Sequence, residues 1–245
     1  MSQASEAPFR SYAPGTQPPL DAPRYASTHK RHPGAAPVRP PGGHTPTELT
    51  TPRFSPTRYP PTADLTADGG GKALGERIIV EGRVLDEDGR SVPGVMIELW
   101  QANAAGRYDH VRDQHDAPLD PHFQGTGRVF SDADGRYRYV TVKPGAYPWR
   151  NHHNAWRPNH IHYSLFGVGL AQRLVTQMYF PGDPLLALDP VYNAVPDEAA
   201  RARLVAAFDL DITQPEWALG YCFDITLRGR AATPFERDRD AERSA

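Results

Sequence analysis

From Glu76 onward the chain is a succession of short apolar runs separated by Gly, Pro and Asp-Gly, and few folds accommodate that pattern. "ERIIVEGRVLD" alternates, with Ile78, Val80, Gly82 and Val84 on one side, the two-residue period of a strand. "DEDGRSVPG" follows, with Asp88-Gly89 as a turn signal. "VMIELWQAN" is a second apolar run. "SDADGRYRYVTVKPG" repeats the device: Asp134-Gly135 turns, then Tyr137, Tyr139 and Thr141 alternate with Arg136, Arg138 and Val140. "NHIHYSLFG", "QRLVTQMYF" and "LGYCFDITLRG" read as three more strands. Only "PDEAARARLVAAF" (196–208) reads as a helix, with Pro at its start, acids in the first turn and Leu204, Val205 and Phe208 at helical spacing. Many short strands with Gly and Pro turns predict an all-β sandwich or barrel with one or two short helices.

Residues 1–70 obey different rules. Of the 26 prolines, 14 precede Thr62, and no helical or strand period is visible there. Such a segment cannot bury enough apolar surface to form its own core. It is either a disordered tail or an extended arm for which Phe9, Tyr12, Tyr25, Phe54 and Tyr59 are candidate anchors. The expected organisation is an arm over 1–70, a β-sandwich domain over 71–232 and a charged tail over 233–245, whose end "RDRDAERSA" should fray. A net charge of -2 gives no electrostatic footprint for nucleic acid or an anionic membrane. No apolar run is long enough to span a bilayer, and the N-terminus lacks a secretory h-region. The single cysteine, Cys222, excludes a disulfide framework and a Cys-rich metal site. A reducing, cytoplasmic location is expected, with Cys222 acting as a buried small hydrophobe in a strand.

Chemistry concentrates around "PNHIHYS". His160 and His162 stand two residues apart on a strand, so they share a face with Cα atoms roughly 6.6 Å apart. That arrangement suits two imidazoles converging on one ion. "KPGAYPWRNHHNAWRPNHIH" places Tyr147, Trp149, Arg150, Trp156 and Arg157 just upstream, and "LWQANAAGRYDH" places Trp100, Arg107 and Tyr108 at a strand end. Flat aromatic walls with a few polar anchors are what a small-molecule site uses. The adjacent pair His152 and His153 would point apart and reads as loop. Three metal chemistries stay open. Two histidines and a carboxylate, Asp109 or Asp120, would suit zinc. The same set with open positions would suit a ferrous oxygenase. Phenolates from tyrosine would suit ferric iron, because a phenol with a pKa near ~10 needs a strong Lewis acid to stay ionised at neutral pH.

Taken together, "GERIIVEGRV", "WQANAAGRY", "APLDPHF", "KPGAYPWRN", "WRPNHIHYS" and "TQMYFPGDPL", in that order, resemble the intradiol ring-cleavage dioxygenases over roughly Tyr25 to Arg230. The resemblance implies a β-sandwich core with long loops, pairing with a homologous α subunit in a larger oligomer, and non-haem Fe(III). It places the ferric ligands on Tyr108, Tyr147, His160 and His162, with Tyr147 and His162 axial. Because the α partner lacks that ligand set, this chain resembles the iron-bearing β type. The same likeness puts Arg157 beside the ring to be cleaved and Gln177 on the oxygen pocket. Trp100, Trp149 and Val191 become walls of the substrate pocket, and Tyr25 lies near a substrate carboxylate. The activity implied is opening of 3,4-dihydroxybenzoate by O₂ to 3-carboxy-cis,cis-muconate, in aromatic catabolism, with Tyr147 serving as both ligand and base. Family members with a helical N-terminal dimerisation domain fit less well, since 1–70 shows no helical period. "IVEGRVLDEDGRSVPGVMIEL" also resembles non-enzymatic transthyretin-like modules, which have no use for the four ligand-type residues.

Overall fold

The computed structural model describes residues 12–19, 22, 54–67, 71–149, 155–167 and 173–236. Two sheets face each other. The first centres on β1 (Arg77–Leu85), which pairs antiparallel with β4 (Arg136–Val142) along one edge. Its other edge pairs parallel with β10 (Leu219–Cys222) and then β11 (Ile225–Thr226), and β9 (Ala207–Phe208) flanks β10. The second sheet is wholly antiparallel, in the order β3 (Thr126–Phe130), β2 (Met96–Trp100), β7 (His160–Phe166), β8 (Leu174–Tyr179). A small ribbon pairs β5 (Tyr147–Pro148) with β6 (Trp156–Arg157). All the strands read from the sequence are present. The shorter strands β3, β5, β6 and β9 carry too few apolar residues to show a period.

Alternation decides what each strand buries. Ile78, Val80 and Val84 of β1 and Tyr137 and Tyr139 of β4 meet Ile97 and Leu99 of β2, Ile161, Tyr163 and Leu165 of β7 and Met178 of β8 in one core. The buried tyrosines satisfy their hydroxyls within it: Tyr139 and Tyr163 share a hydrogen bond of 2.5 Å between the sheets, and Tyr137 donates to the Phe223 carbonyl. Such pairing removes the penalty of an unbonded buried polar group.

Parts of the first 70 residues lie against this sandwich. Thr62 bridges to Arg128 and Asp64 to Val140, so Leu65 (1% exposed) enters the core. Phe54 packs on Phe166 and Tyr59, and Tyr12 packs edge-on against Phe235. Phe9 and Tyr25 lie outside the described residues, as do His152, His153 and Arg150.

Two expectations need correction. The helix expected over 196–208 shrinks to α1 (Glu198–Ala202), capped by the Asp197 carboxylate accepting from the Ala200 N–H. Beyond it the backbone pairs with β8: Tyr179 N–H donates to Leu204, and Ala206 N–H to Tyr179. An open strand edge outcompetes helical propensity, which is a weak preference. Cys222 is half-buried rather than buried. Burial, with Asp224, Asp209 and Glu81 nearby, raises its thiol pKa. Among the described residues, no helix is long and apolar enough to cross a membrane.

Candidate active site

The site lies on the outer face of the second sheet. Because β7 puts Ile161, Tyr163 and Leu165 inward, His160, His162 and Ser164 must point outward. Register does the rest: Trp100, His162 and Gln177 form one cross-strand row, and His160 stands opposite Tyr179. The Trp100 ring stacks flat on His162, with centroids 4.8 Å apart and planes 7° from parallel.

Two loops bring the tyrosines over this row. Asn103 (4% exposed) builds the first loop: its side-chain oxygen accepts from the Ala105 and Arg107 N–H groups, and its amide donates to the Pro118 carbonyl. Asp113 then takes the Tyr108 N–H at 2.7 Å. The second loop, leading into β5, crosses the first at glycine. Gly106 has φ +79° and a Cβ there would stand 2.1 Å from the Ala146 carbonyl oxygen, while one on Gly145 would meet the Ala104 carbonyl oxygen at 2.4 Å. The crossing therefore fixes the spacing of Tyr108 and Tyr147, whose rings meet edge-on at 5.4 Å. Gly106→Ala should lower stability in denaturant titration by about 1–3 kcal/mol, combining left-handed strain with the displaced carbonyl. Gly89→Ala, with a similar φ of +78° and nothing near its Cβ, should lose only the backbone part, about 1 kcal/mol. Equal losses would mean the crossing is not tight.

Four donor atoms converge. Tyr108 Oη lies 3.1 Å from His162 Nε2, Tyr147 Oη lies 3.2 Å from His160 Nε2, and the two Nε2 atoms are 3.2 Å apart. The opposite ring nitrogens are engaged. His160 Nδ1 donates to the Pro158 carbonyl (2.7 Å), and His162 Nδ1 meets Glu236 Oε2 (2.8 Å). With Nδ1 carrying the proton, both Nε2 lone pairs point into the same small space, an arrangement that a cation relieves. Donors about 3 Å apart are what bonds of about 2 Å at right angles produce. Burial, then Arg157 and His162, holds the His160 pKa well below its usual value, so the ring is neutral and ready to ligate. Burial, reinforced by Tyr147, raises the Tyr108 phenol well above its usual range, and burial raises Tyr147 against the opposing effect of Arg157. Only a strongly Lewis-acidic ion would ionise such phenols at neutral pH.

The carboxylate alternatives are not supported. Asp120 is occupied elsewhere, accepting from the Leu74 and His122 N–H groups. Among the described residues no group of three or more His, Cys, Asp and Glu side chains is placed to hold a metal. Neither Asp109 nor Asp120 completes a site with the histidines, and the oxygens nearest their Nε2 atoms are those of Tyr108 and Tyr147.

Arg157 (4% exposed) sits beside the four donors. Its guanidinium donates to both oxygens of Asp189 at 3.0 and 3.2 Å, to Gln177 Oε1 and to Tyr179 Oη, and lies over the Trp149 ring at 5.3 Å. Burial alone would lower its pKa; Asp189, then Tyr147, outweighs that and keeps the group cationic. Asp189 also accepts from Tyr179 Oη and from the N–H of Val191. Val191 thus stands on the turn that carries the partner of Arg157. Gln177 Nε2 lies 3.4 Å from His162 Nδ1. Tyr25 cannot be placed, being outside the described residues. Sequence reasoning missed Asp189 and Glu236, which lie outside the quoted motifs, and Tyr179, which lies within "TQMYFPGDPL" but gives no local sign of its role.

The fold is a β-sandwich with two tyrosines and two histidines gathered on the outer face of one sheet. The dioxygenase family model matches residues 49–229, and the chain belongs to that family, the intradiol dioxygenases. The chain is 65% identical over 176 residues to the protocatechuate 3,4-dioxygenase β chain of Burkholderia cepacia, covering 71% of this chain and 74% of that one. It is 34% identical to the protocatechuate 3,4-dioxygenase α chain of the same organism, covering 74% and 82%. Among solved structures it resembles 3-chlorocatechol 1,2-dioxygenase from Rhodococcus opacus 1CP, with 26% identity, a TM-score of 0.54, and coverage of 73% of this chain and 70% of that one. The family is one of non-haem iron enzymes.

Proposed function

We propose that this chain is the iron-bearing β subunit of a protocatechuate 3,4-dioxygenase, opening 3,4-dihydroxybenzoate with O₂ to 3-carboxy-cis,cis-muconate, and that it works paired with a homologous α subunit. The observation that carries this reading is the convergence of Tyr108, Tyr147, His160 and His162 beside the buried cation of Arg157. The 65% identity to a β chain supports the substrate, and the weaker likeness to an α chain supports the pairing. The domain organisation that goes with it is an arm over 1–70, a catalytic sandwich over 71–232 and a tail over 233–245.

Fe(III) held by the four side chains would supply Lewis acidity that makes a bound catecholate susceptible to O₂. The protein residues do the rest. Two phenolates and two neutral imidazoles would offset two of the three charges of such an ion, leaving a net positive site that would attract an anionic substrate. Tyr147, one of the four residues that would hold the ion, would also be the base that takes a proton from a substrate hydroxyl at its Oη. Arg157, fixed by Asp189, would face negative charge as it develops on the ring, at no reorganisation cost. Trp149 and Val191 would form pocket walls, Trp100 backs a ligand ring, and Gln177 joins the arginine network to the ligand face. Both atoms of O₂ enter the product, so no external reductant is needed.

The test is expression of the full chain with an α subunit, iron analysis and oxygen uptake on a panel of substituted catechols. One O₂ should be consumed per 3,4-dihydroxybenzoate, with catechol lacking the carboxylate a poor substrate. Iron-loaded protein should show a visible phenolate-to-iron band. Tyr108→Phe and Tyr147→Phe should each remove part of it and move its maximum. An iron-loaded wild type without the band would refute the ligand set.

A further inference from the structure

The two histidines offer the same ring nitrogen to the cluster but are backed differently. His160 Nδ1 donates to a neutral carbonyl, that of Pro158, within its own strand entry. His162 Nδ1 faces the carboxylate of Glu236, 74 residues away. That carboxylate is nearly buried, with 12% of its side-chain surface exposed. Its position is built rather than incidental. The Glu236 N–H donates to the Val175 carbonyl at 2.6 Å, extending along β8. Thr176 Oγ1 donates to the Pro234 carbonyl at 2.7 Å, the Phe235 N–H donates to Gln17 Oε1 at 2.8 Å, and Tyr12 packs on the Phe235 ring. With Trp100 flat against one face of the His162 ring and Glu236 on its edge, the imidazole has one available orientation.

We infer that Glu236 is a positioning residue of the metal centre: through Nδ1 it locks the tautomer and angle of His162 and strengthens that ring as a donor, making the two histidines unequal ligands. The inference rests on the ligand set proposed above. A hydrogen bond to a carboxylate is roughly twice as strong as one to a neutral carbonyl, and it pushes electron density toward the far nitrogen. Such a partner is typically worth about 10–100-fold in metal affinity.

The experiment uses the full chain, purified with iron, and reads two quantities at fixed pH: the rate of iron loss to a chelator and the position of the phenolate-to-iron band. Glu236→Gln keeps the shape and a hydrogen-bonding amide but removes the charge. It should release iron about 10-fold faster and shift the band, because the electron donation of His162 changes while the fold does not. Glu236→Ala should release iron up to about 100-fold faster; if that variant does not fold, Glu236→Gln decides alone. Phe235→Ala, which loosens the segment without touching the charge, should leave the band of the iron-loaded fraction where it is. If Glu236→Gln kept the wild-type band and release rate, Glu236 would merely pack its segment and the inference would fall while the ligand set stood. A wild type that binds iron without the band would remove both.

Discussion

Arg157→Ala should retain iron and its visible band but lose turnover by about 10²–10³-fold, the usual effect of deleting one preorganised group aimed at developing charge. Arg157 is not among the four converging donors, so metal content should survive. Its guanidinium is held on three sides, by Asp189, by Gln177 and Tyr179, and by the Trp149 ring. A group so constrained loses little entropy when it acts on a bound ring. Arg157→Lys should recover little, because an ammonium cannot span both Asp189 oxygens while still reaching Gln177. The measurement is oxygen uptake normalised to iron, with kcat and KM separated. Loss confined to KM would make Arg157 a binding residue only, and unchanged kcat would remove it from the chemistry.

The second large effect concerns stability. Asp189 is 0% exposed and pairs with Arg157 inside the protein. Asp189→Ala should destabilise by about 3–5 kcal/mol, because it strands a buried cation. Asp189→Asn should lose less, since an amide still accepts one of the bonds now made by Arg157 or the Val191 N–H. Combining Asp189→Leu with Arg157→Met should restore much of the stability while abolishing turnover, since a buried ion pair is often no more stabilising than well-packed apolar residues. Denaturant titration of Asp189→Leu, Arg157→Met and the double variant forms a cycle that isolates the coupling. A double variant as unstable as the sum of the singles would mean that the pair is not coupled.

Much of this architecture was legible because alternation is a local signal. β1, β4 and β7 announce themselves in "RIIVEGRVL", "RYRYVTV" and "HIHYSLF", and His160 and His162 follow from the same period. Tyr108 and Tyr147 needed the family's motifs, because loops have no period and nothing local says that a tyrosine will stand beside the histidines. The residues behind them were not legible. Asp189 is 32 positions from Arg157, and Glu236 sits in "FERDRDAERSA", a charged run that reads as solvated. Both matter only through register and chain crossing. Helix 196–208 failed for the same kind of reason, since the open edge of β8 is invisible in the helical spacing of Leu204 and Val205.

β7 is buried from His160 through Leu165, while β4 keeps Arg136 and Arg138 exposed. One strand thus serves the hydrophobic core with Ile161, Tyr163 and Leu165 and the four-donor cluster with His160 and His162. Such a strand has no free surface on which substitutions can accumulate harmlessly. Attempts to retune substrate preference by directed evolution should find β7 intolerant at every position from 160 to 165. Gains should come instead from half-buried Trp149 and Val191, the proposed pocket walls, where a changed side chain would alter the space for a ring substituent without disturbing either the core or the four donors.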